Sequence, residues 1–191
     1  MNYSIRQIAA IVEGTFLSPG SNVGRVQNPA DVDTDVEIHH LLLDSRQVIF
    51  PASSLFIALQ GRRHDGHEFL TDLYQSGVRN FLISMKLDPA DFPGANFILV
   101  KNTHEAFHRL AFFHRHQFPN LRVIGITGSN GKTIVKEWLF QLLQEDFHIV
   151  RSPKSFNSQT GVPLSVLQIT PQHDLGIFEA GISQSGEMKK L

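Results

Sequence analysis

Lys132 and Thr133 close the segment Gly125-Ile-Thr-Gly-Ser-Asn-Gly-Lys-Thr133. A lysine and a hydroxyl residue at the end of a glycine-rich run make a site for a polyphosphate. Gly128, Ser129, Asn130 and Gly131 would let backbone N–H groups approach the anion. Lys132 would then reach the β and γ phosphates, and the Thr133 hydroxyl would bind magnesium. The run departs from G-x-x-x-x-G-K-[ST], because Ile126 stands where the first glycine belongs and Gly125 lies one residue early.

A second constellation points to different chemistry. His104-Glu-Ala-Phe-His108 matches H-E-x-x-H, and His114 falls where a third zinc ligand of the long metalloprotease pattern would stand. Two histidines four apart share a helix face, and the glutamate between them is placed for general-base work. The long pattern also needs a glycine turn between the second and third histidines, and here that position is Ala111 in an unbroken helical run. We therefore read the segment as a packing helix with its histidines on the wetter side, and a zinc hydrolase as the weaker alternative. His64, His67, His114 and His116 are expected at the surface or in loops.

Both constellations need elements to hold them. Leu121, Val123, Ile124 and Ile126 form a short β-branched run of the kind a buried parallel strand uses. Behind the loop, Val135, Trp138, Leu139, Leu142 and Leu143 recur at helical spacing, with Lys136, Glu137, Gln141 and Gln144 expected on the opposite, wet side. A strand, a glycine loop and a helix in that order aim the helix's unpaired first N–H groups and its dipole at an anion.

Upstream, Ser4 is placed to cap a helix carrying Ile5, Ile8, Ala9 and Val12, which stops at Gly14. A loop through Ser18-Pro19-Gly20 leads to a strand near residues 38–43. Further strands follow near 55–59, 81–84 and 97–100, with helices through Phe69 to Tyr74 and from about 104 to 118. The alternation predicts α/β architecture. Pro119-Asn120 breaks the last of these helices, which places a domain boundary between 1–118 and 119–191. Beyond the loop helix we expect a strand at 147–150, a loop through Phe156-Asn157, a short helix at 162–167, and a strand at 175–178 that delivers Glu179 at its carboxyl end. Ligands of open α/β sheets sit outside such ends, so Glu179 and the phosphate loop are expected to face one site. Three strand-like runs are few for a nucleotide domain, and we read the chain as the opening part of a longer protein.

Composition excludes several classes. With 191 residues and a net charge of −1, the chain has no basic footprint for nucleic acid or an anionic membrane surface. Cysteine is absent, which removes disulfides and thiolate ligands and fits a reducing, cytoplasmic setting. The N-terminal stretch, broken by Arg6, Gln7 and Glu13, does not read as a signal peptide. No run reaches the roughly 20 apolar residues of a membrane span.

Four segments together resemble the Mur ligases, the ATP-dependent enzymes that build the peptide of bacterial cell-wall precursors. Asp44-Ser-Arg46, Leu55-Phe-Ile-Ala-Leu-Gln-Gly61 and Asp65-Gly-His67 are similar to the family's N-terminal nucleotide-sugar domain. Gly128-Ser-Asn-Gly-Lys-Thr133 is similar to its phosphate loop. Phe156-Asn157 with Gly161-Val-Pro-Leu164, and Glu179-Ala-Gly181 with Gly186-Glu187, resemble the asparagine and metal-binding glutamate segments of the branch that adds D-alanyl-D-alanine.

The resemblance implies that ATP phosphorylates the terminal carboxylate of UDP-MurNAc-tripeptide, and that the amine of D-alanyl-D-alanine attacks the acyl phosphate. It implies Thr133 and Glu179 as ligands of Mg2+, Lys132 as the phosphate-binding lysine, and Asn157 near the transferred phosphoryl group. Ser45, Arg46, Arg62 and Arg63 would hold the uridine diphosphate end, with a local ion pair closing a turn as the other reading of Asp44 and Arg46. Ser155 and Ser158 stand where dipeptide-adding relatives often carry asparagine, and Pro51-Ala-Ser replaces a common Pro-Gly. The wording Gly-Lys-Thr-Ile-Val-Lys-Glu-Trp138 resembles ligases fused to an alanine racemase, so pyridoxal phosphate enters only if such a domain follows. Lysine- or diaminopimelate-adding ligases, folylpolyglutamate synthetase and a nonenzymatic nucleotide-sugar-binding module are the alternatives. The Asn157 and Gly161 segments favour the dipeptide adder.

Overall fold

The structure is a computed structural model and describes residues 2–17, 35–61 and 64–182. The loop through Ser18-Pro19-Gly20, Arg62 and Arg63, and the Gly186-Glu187 segment lie outside the described residues. The chain divides into two compact units, Met1–Leu110 and Ala111–Leu191, so the division falls inside a helix, upstream of the sequence-based boundary.

Among the described residues, ten strands and α-helices build the first unit. They are β1 (Tyr3–Ser4), α1 (Ile5–Ile11), β2 (Thr15–Leu17), β3 (Glu37–Ile38), β4 (His40–Leu42), β5 (Ser54–Ile57), α2 (Leu70–Gln75), β6 (Asn80–Ile83), β7 (Asn96–Leu99) and most of α3 (Thr103–His116). Ser4 opens α1 with a full capping box. Its hydroxyl accepts from the Gln7 N–H at 3.1 Å, and the Gln7 side chain accepts from the Ser4 N–H at 2.9 Å. A sheet runs in the order β2-β7-β6-β5-β4, parallel except for β2, which lies antiparallel on β7. Sequence reasoning read 38–43 as one strand, but β3 pairs with β1 and β4 joins the large sheet, so His39 marks a change of partner. It also missed β2, whose three residues are too short for a periodic signal.

β5 and β6 are buried on both faces, as parallel strands are. One face stacks Phe81 on Phe97 at 5.2 Å and meets Leu70 and Leu73 of α2. The alternate residues Leu55, Ile57, Leu82 and Ile98 point the other way and are fully buried too. The Thr103 hydroxyl donates to the Ala58 carbonyl at 2.9 Å, fixing the start of α3 beyond the end of β5.

The second unit contains the last turns of α3, β8 (Arg122–Ile126), α4 (Lys132–Leu143), β9 (Ile149–Arg151), α5 (Gly161–Val166) and β10 (Leu175–Glu179). Its sheet is wholly parallel, in the order β8-β10-β9. The buried strand is β10, every residue of it, whereas β8 is an edge and half exposed. The expectation of a buried β8 therefore fails, because only one of its edges is paired among the described residues. Leu121, Val150, Ile169 and Phe178 form the core. At the break after α3, Arg115 donates to the Phe118 and Leu121 carbonyls at 2.6 and 3.0 Å, which satisfies a turn that has left the helix.

Candidate nucleotide phosphate site

The parallel register of β8 and β10 creates the site. Glu179 pairs with Ile126, so the last residue of β10 lies beside the last residue of β8, where the glycine loop begins. The Ala180 N–H donates to the Ile126 carbonyl at 2.8 Å and locks that alignment. Gly128 and Gly131 have φ of +143° and +77°, backbone that side-chain-bearing residues rarely adopt. Gly131 is the residue before α4, and the loop therefore ends with the helix's first N–H groups directed back toward it. Lys132 donates across the loop to the Gly128 carbonyl at 2.5 Å. Gly128, Ser129, Asn130 and Gly131 are exposed.

Thr133 and Glu179, 46 residues apart in sequence, meet here: the Thr133 hydroxyl donates to Glu179 Oε2 at 3.2 Å. Glu179 is fully buried, and its N–H donates to the buried Ser152 hydroxyl at 3.0 Å. The donor set, a hydroxyl and a carboxylate beside a glycine-rich loop, is one of hard oxygens and suits Mg2+. Asn157 approaches from the far side of β10. Its carbonyl accepts from the Gly181 N–H at 2.7 Å, and a Cβ on Gly181 would lie only 2.9 Å from the Asn157 side-chain carbon. Glycine at 181 is what allows that approach. Ser158 Oγ accepts from the Gly161 N–H at 3.1 Å and starts α5.

Lys136 overturns the expectation of a wet face. It is fully buried, while Val135, Trp138 and Leu142 on the expected apolar face are exposed. The reason is a charge partner that the local pattern does not contain: Lys136 Nζ lies 3.0 Å from Glu179 Oε1. With apolar residues on both sides, α4 has no pattern that selects its inner face.

In the first unit, Arg46 forks onto Asp44, with Nε to Oδ1 at 2.8 Å and Nη2 to Oδ2 at 2.7 Å. The Arg46 side-chain and backbone bonds hold the Asp44 carboxyl at about 2, and Asp44 in turn raises Arg46. This is the local ion pair across a turn, and partly exposed Ser45 sits at its tip.

Two of the histidines depart from their expected places. His67 and His114 are buried, whereas His64 and His116 are exposed. His67 Nδ1 donates to Asp65 Oδ1 at 2.5 Å, and its Nε2 accepts from the Ser84 N–H at 3.0 Å. That bond occupies the lone pair a base would need toward the Ser84 hydroxyl, 3.5 Å away, so the Asp-His-Ser arrangement is a brace. Burial pushes the Asp65 carboxyl up, but the His67 N–H, the Gln60 amide and the His67 ring outweigh it and hold the group at about 2. His104 Nε2 donates to the Gln60 carbonyl at 3.0 Å, and His114 Nε2 to the Ile169 carbonyl at 2.9 Å. Among the described residues, no group of three or more His, Asp or Glu is placed to hold a metal.

Residues 126–191 match the family described as the Mur ligase middle domain. A Treponema pallidum protein named UDP-N-acetylmuramoyl-tripeptide–D-alanyl-D-alanine ligase is 39% identical over 155 residues, covering 78% of this chain and 33% of that protein. The chain belongs to the Mur ligase family. A crystal structure of MurF from Acinetobacter baumannii matches the whole chain with a TM-score of 0.84 at 26% identity, and the match covers 38% of that chain. The MurF ligase from Thermotoga maritima, solved in complex with ADP, matches 79% of this chain and 34% of its own with a TM-score of 0.65 at 28% identity. The chain spans about a third of the length of the curated relatives it matches. These Mur ligase relatives carry the name of the dipeptide-adding enzyme, the branch that the Asn157 and Gly161 segments favoured.

Proposed function

We propose that this chain carries the phosphate-handling part of an ATP-dependent ligase that joins D-alanyl-D-alanine to UDP-MurNAc-tripeptide. The observation that carries the reading is the meeting of Thr133 with Glu179 beside the glycine loop, at the carboxyl ends of two parallel strands. The names of the Mur ligase relatives and the ADP in the Thermotoga maritima structure support the substrate and nucleotide assignments.

In this reading the backbone N–H groups of residues 128–133 hold the β and γ phosphates. Lys132 exchanges its bond to the Gly128 carbonyl for phosphate oxygens and neutralises charge that develops there. A carboxylate oxygen of the tripeptide attacks the γ phosphorus, ADP leaves, and an acyl phosphate forms. The amine of D-alanyl-D-alanine then attacks the acyl carbon; phosphate leaves, and the nitrogen gives up a proton. Thr133 and Glu179 would hold Mg2+, which supplies charge neutralisation on the phosphates when bound. Asn157, pressed against Gly181, is set to meet the transferred group. The protein's part is positioning and charge, the recurrent means of phosphoryl transfer catalysis.

In the first unit, the Asp44–Arg46 pair fixes the turn that presents Ser45 to the uridine diphosphate end. Arg62 and Arg63 would supply further cationic donors for that diphosphate.

Lys132→Ala in the full gene product tests the assignment. ATP-dependent phosphate release in the presence of both substrates is expected to fall by roughly 10²–10³ or more. The circular dichroism spectrum is expected to hold, because the change removes a partly exposed charge at the start of α4 and no core volume. Turnover within a few-fold of the unaltered enzyme would defeat the reading.

A further inference from the structure

Lys136 is a fully buried ammonium that the reaction scheme above does not use. It has three N–H groups and four oxygens around it: the Ser152 carbonyl at 2.8 Å, the Lys154 carbonyl, Glu179 Oε1 at 3.0 Å and Glu137 Oε1 at 3.3 Å. The two carbonyls belong to the chain that leaves β9 toward Asn157. The Glu179 contact is an ion pair off the line of a hydrogen bond, since Oε1 has no directed donor. Glu137 is bound in turn by Arg151 at 2.6 Å, and the Arg151 guanidinium lies over the Phe140 ring, 3.5 Å from its centre. Two cations and two carboxylates thus form one row behind the phosphate loop, with Glu179 at its inner end.

We infer that Lys136 is a positioning residue for phosphoryl transfer: it holds Oε1 of Glu179 to the rear, so that only Oε2 is presented beside Thr133 and the phosphate loop. Turning both oxygens toward the loop would draw the Glu179 carboxylate away from a buried ammonium and leave half-buried Glu137 as its remaining counter-charge, so the cluster opposes that turn. The same ammonium ties the Asn157 loop to α4, and so joins the three pieces of the site through one atom. The inference rests on the reading of Glu179 as a metal ligand.

The test uses the full gene product and measures the Mg2+ concentration for half-maximal phosphate release, together with the KM for UDP-MurNAc-tripeptide. Glu179→Gln serves as reference, beside Lys136→Met and Lys136→Gln. A partner that orients a metal ligand typically costs about 10- to 100-fold in metal affinity when removed. Both lysine variants are therefore expected to raise the Mg2+ requirement by about tenfold or more, with KM for the tripeptide within about twofold. A lysine that only braces the fold would lower the melting temperature and leave the Mg2+ requirement unchanged, and that result would overturn the inference.

The two readings separate cleanly. If Glu179→Gln raises the Mg2+ requirement and the lysine variants do not, the role of Lys136 falls alone. If Glu179→Gln also leaves it unchanged, the ligand assignment falls and takes Lys136 with it. Should neither lysine variant fold, the ammonium signal of Lys136 in the unaltered protein decides by nitrogen NMR. A shift on adding Mg2+ with ADP supports the inference, and an unmoved signal overturns it.

Discussion

At the scale of single residues, the site depends on absences of side-chain volume as much as on charged groups. Gly181 touches Asn157 so closely that a Cβ would lie 2.9 Å from its Cγ and 3.1 Å from its carbonyl oxygen. Neither can withdraw freely, because that carbonyl is bonded to the Gly181 N–H. Gly181→Ala is therefore expected to push Asn157 out of place and to cost about 1–3 kcal/mol of stability, as overpacking does. Urea unfolding reads the second effect. A fall in turnover at saturating substrates larger than the change in tripeptide KM reads the first, and full activity would show that Asn157 need not be held there. Gly66 makes a similar demand in the other unit, where a Cβ would meet the backbone of Ala58 and Leu59 at 2.9 Å.

At the scale of elements, α3 carries in its last turn a histidine, His114, that is a packing residue with a titratable ring. His114 is buried, its Nε2–H bonds the Ile169 carbonyl, and burial lowers its pKa below the ordinary 6.5. With the folded value lowered, the unfolded chain binds the proton more readily. Stability is then full above about pH 6.5 and declines as pH falls through that value toward the folded one. The urea midpoint of the second unit is expected to drop across this range, and His114→Gln to flatten the drop. An unaltered slope in that variant would remove His114 as its source. His173 is also lowered, by burial and then by the nearby charge of His148, and any slope that remains is expected to belong to it.

At the scale of the whole molecule, the chain covers about a third of its curated relatives, while amide formation brings three ligands together. The 191-residue chain alone is expected to form no amide from ATP, UDP-MurNAc-tripeptide and D-alanyl-D-alanine, and to bind the uridine diphosphate end weakly. Calorimetry with UDP-MurNAc-tripeptide checks the binding, and Ser45→Ala or Arg63→Ala is expected to weaken it. Binding insensitive to both would move the uridine site elsewhere, and measurable amide formation would defeat the expectation of inactivity. Among the described residues, no helix is long and apolar enough to cross a membrane.

What the sequence determined by itself was which local elements form and where they begin. Ser4 announces the start of α1, the short apolar runs announce β5, β6 and β7, and the glycines of Gly128 through Thr133 mark the loop because glycine adopts those backbone angles without strain. The order of Asp44-Ser-Arg46, the loop, Asn157 and Glu179 was enough to place the chain among the Mur ligases. Tertiary structure decided what depends on partners distant in sequence. Lys136 and Trp138 exchanged their expected environments because Glu179, 43 positions beyond Lys136, supplies the buried counter-charge. β8 became an edge and β10 the buried centre because sheet order is set by crossovers, and no single strand's composition records it. His67 and His114 went inside because Ser84 and Ile169 offered each ring nitrogen a backbone partner. Local patterns fix which backbone states are accessible, whereas burial of a polar group is favourable only where the fold delivers its partner.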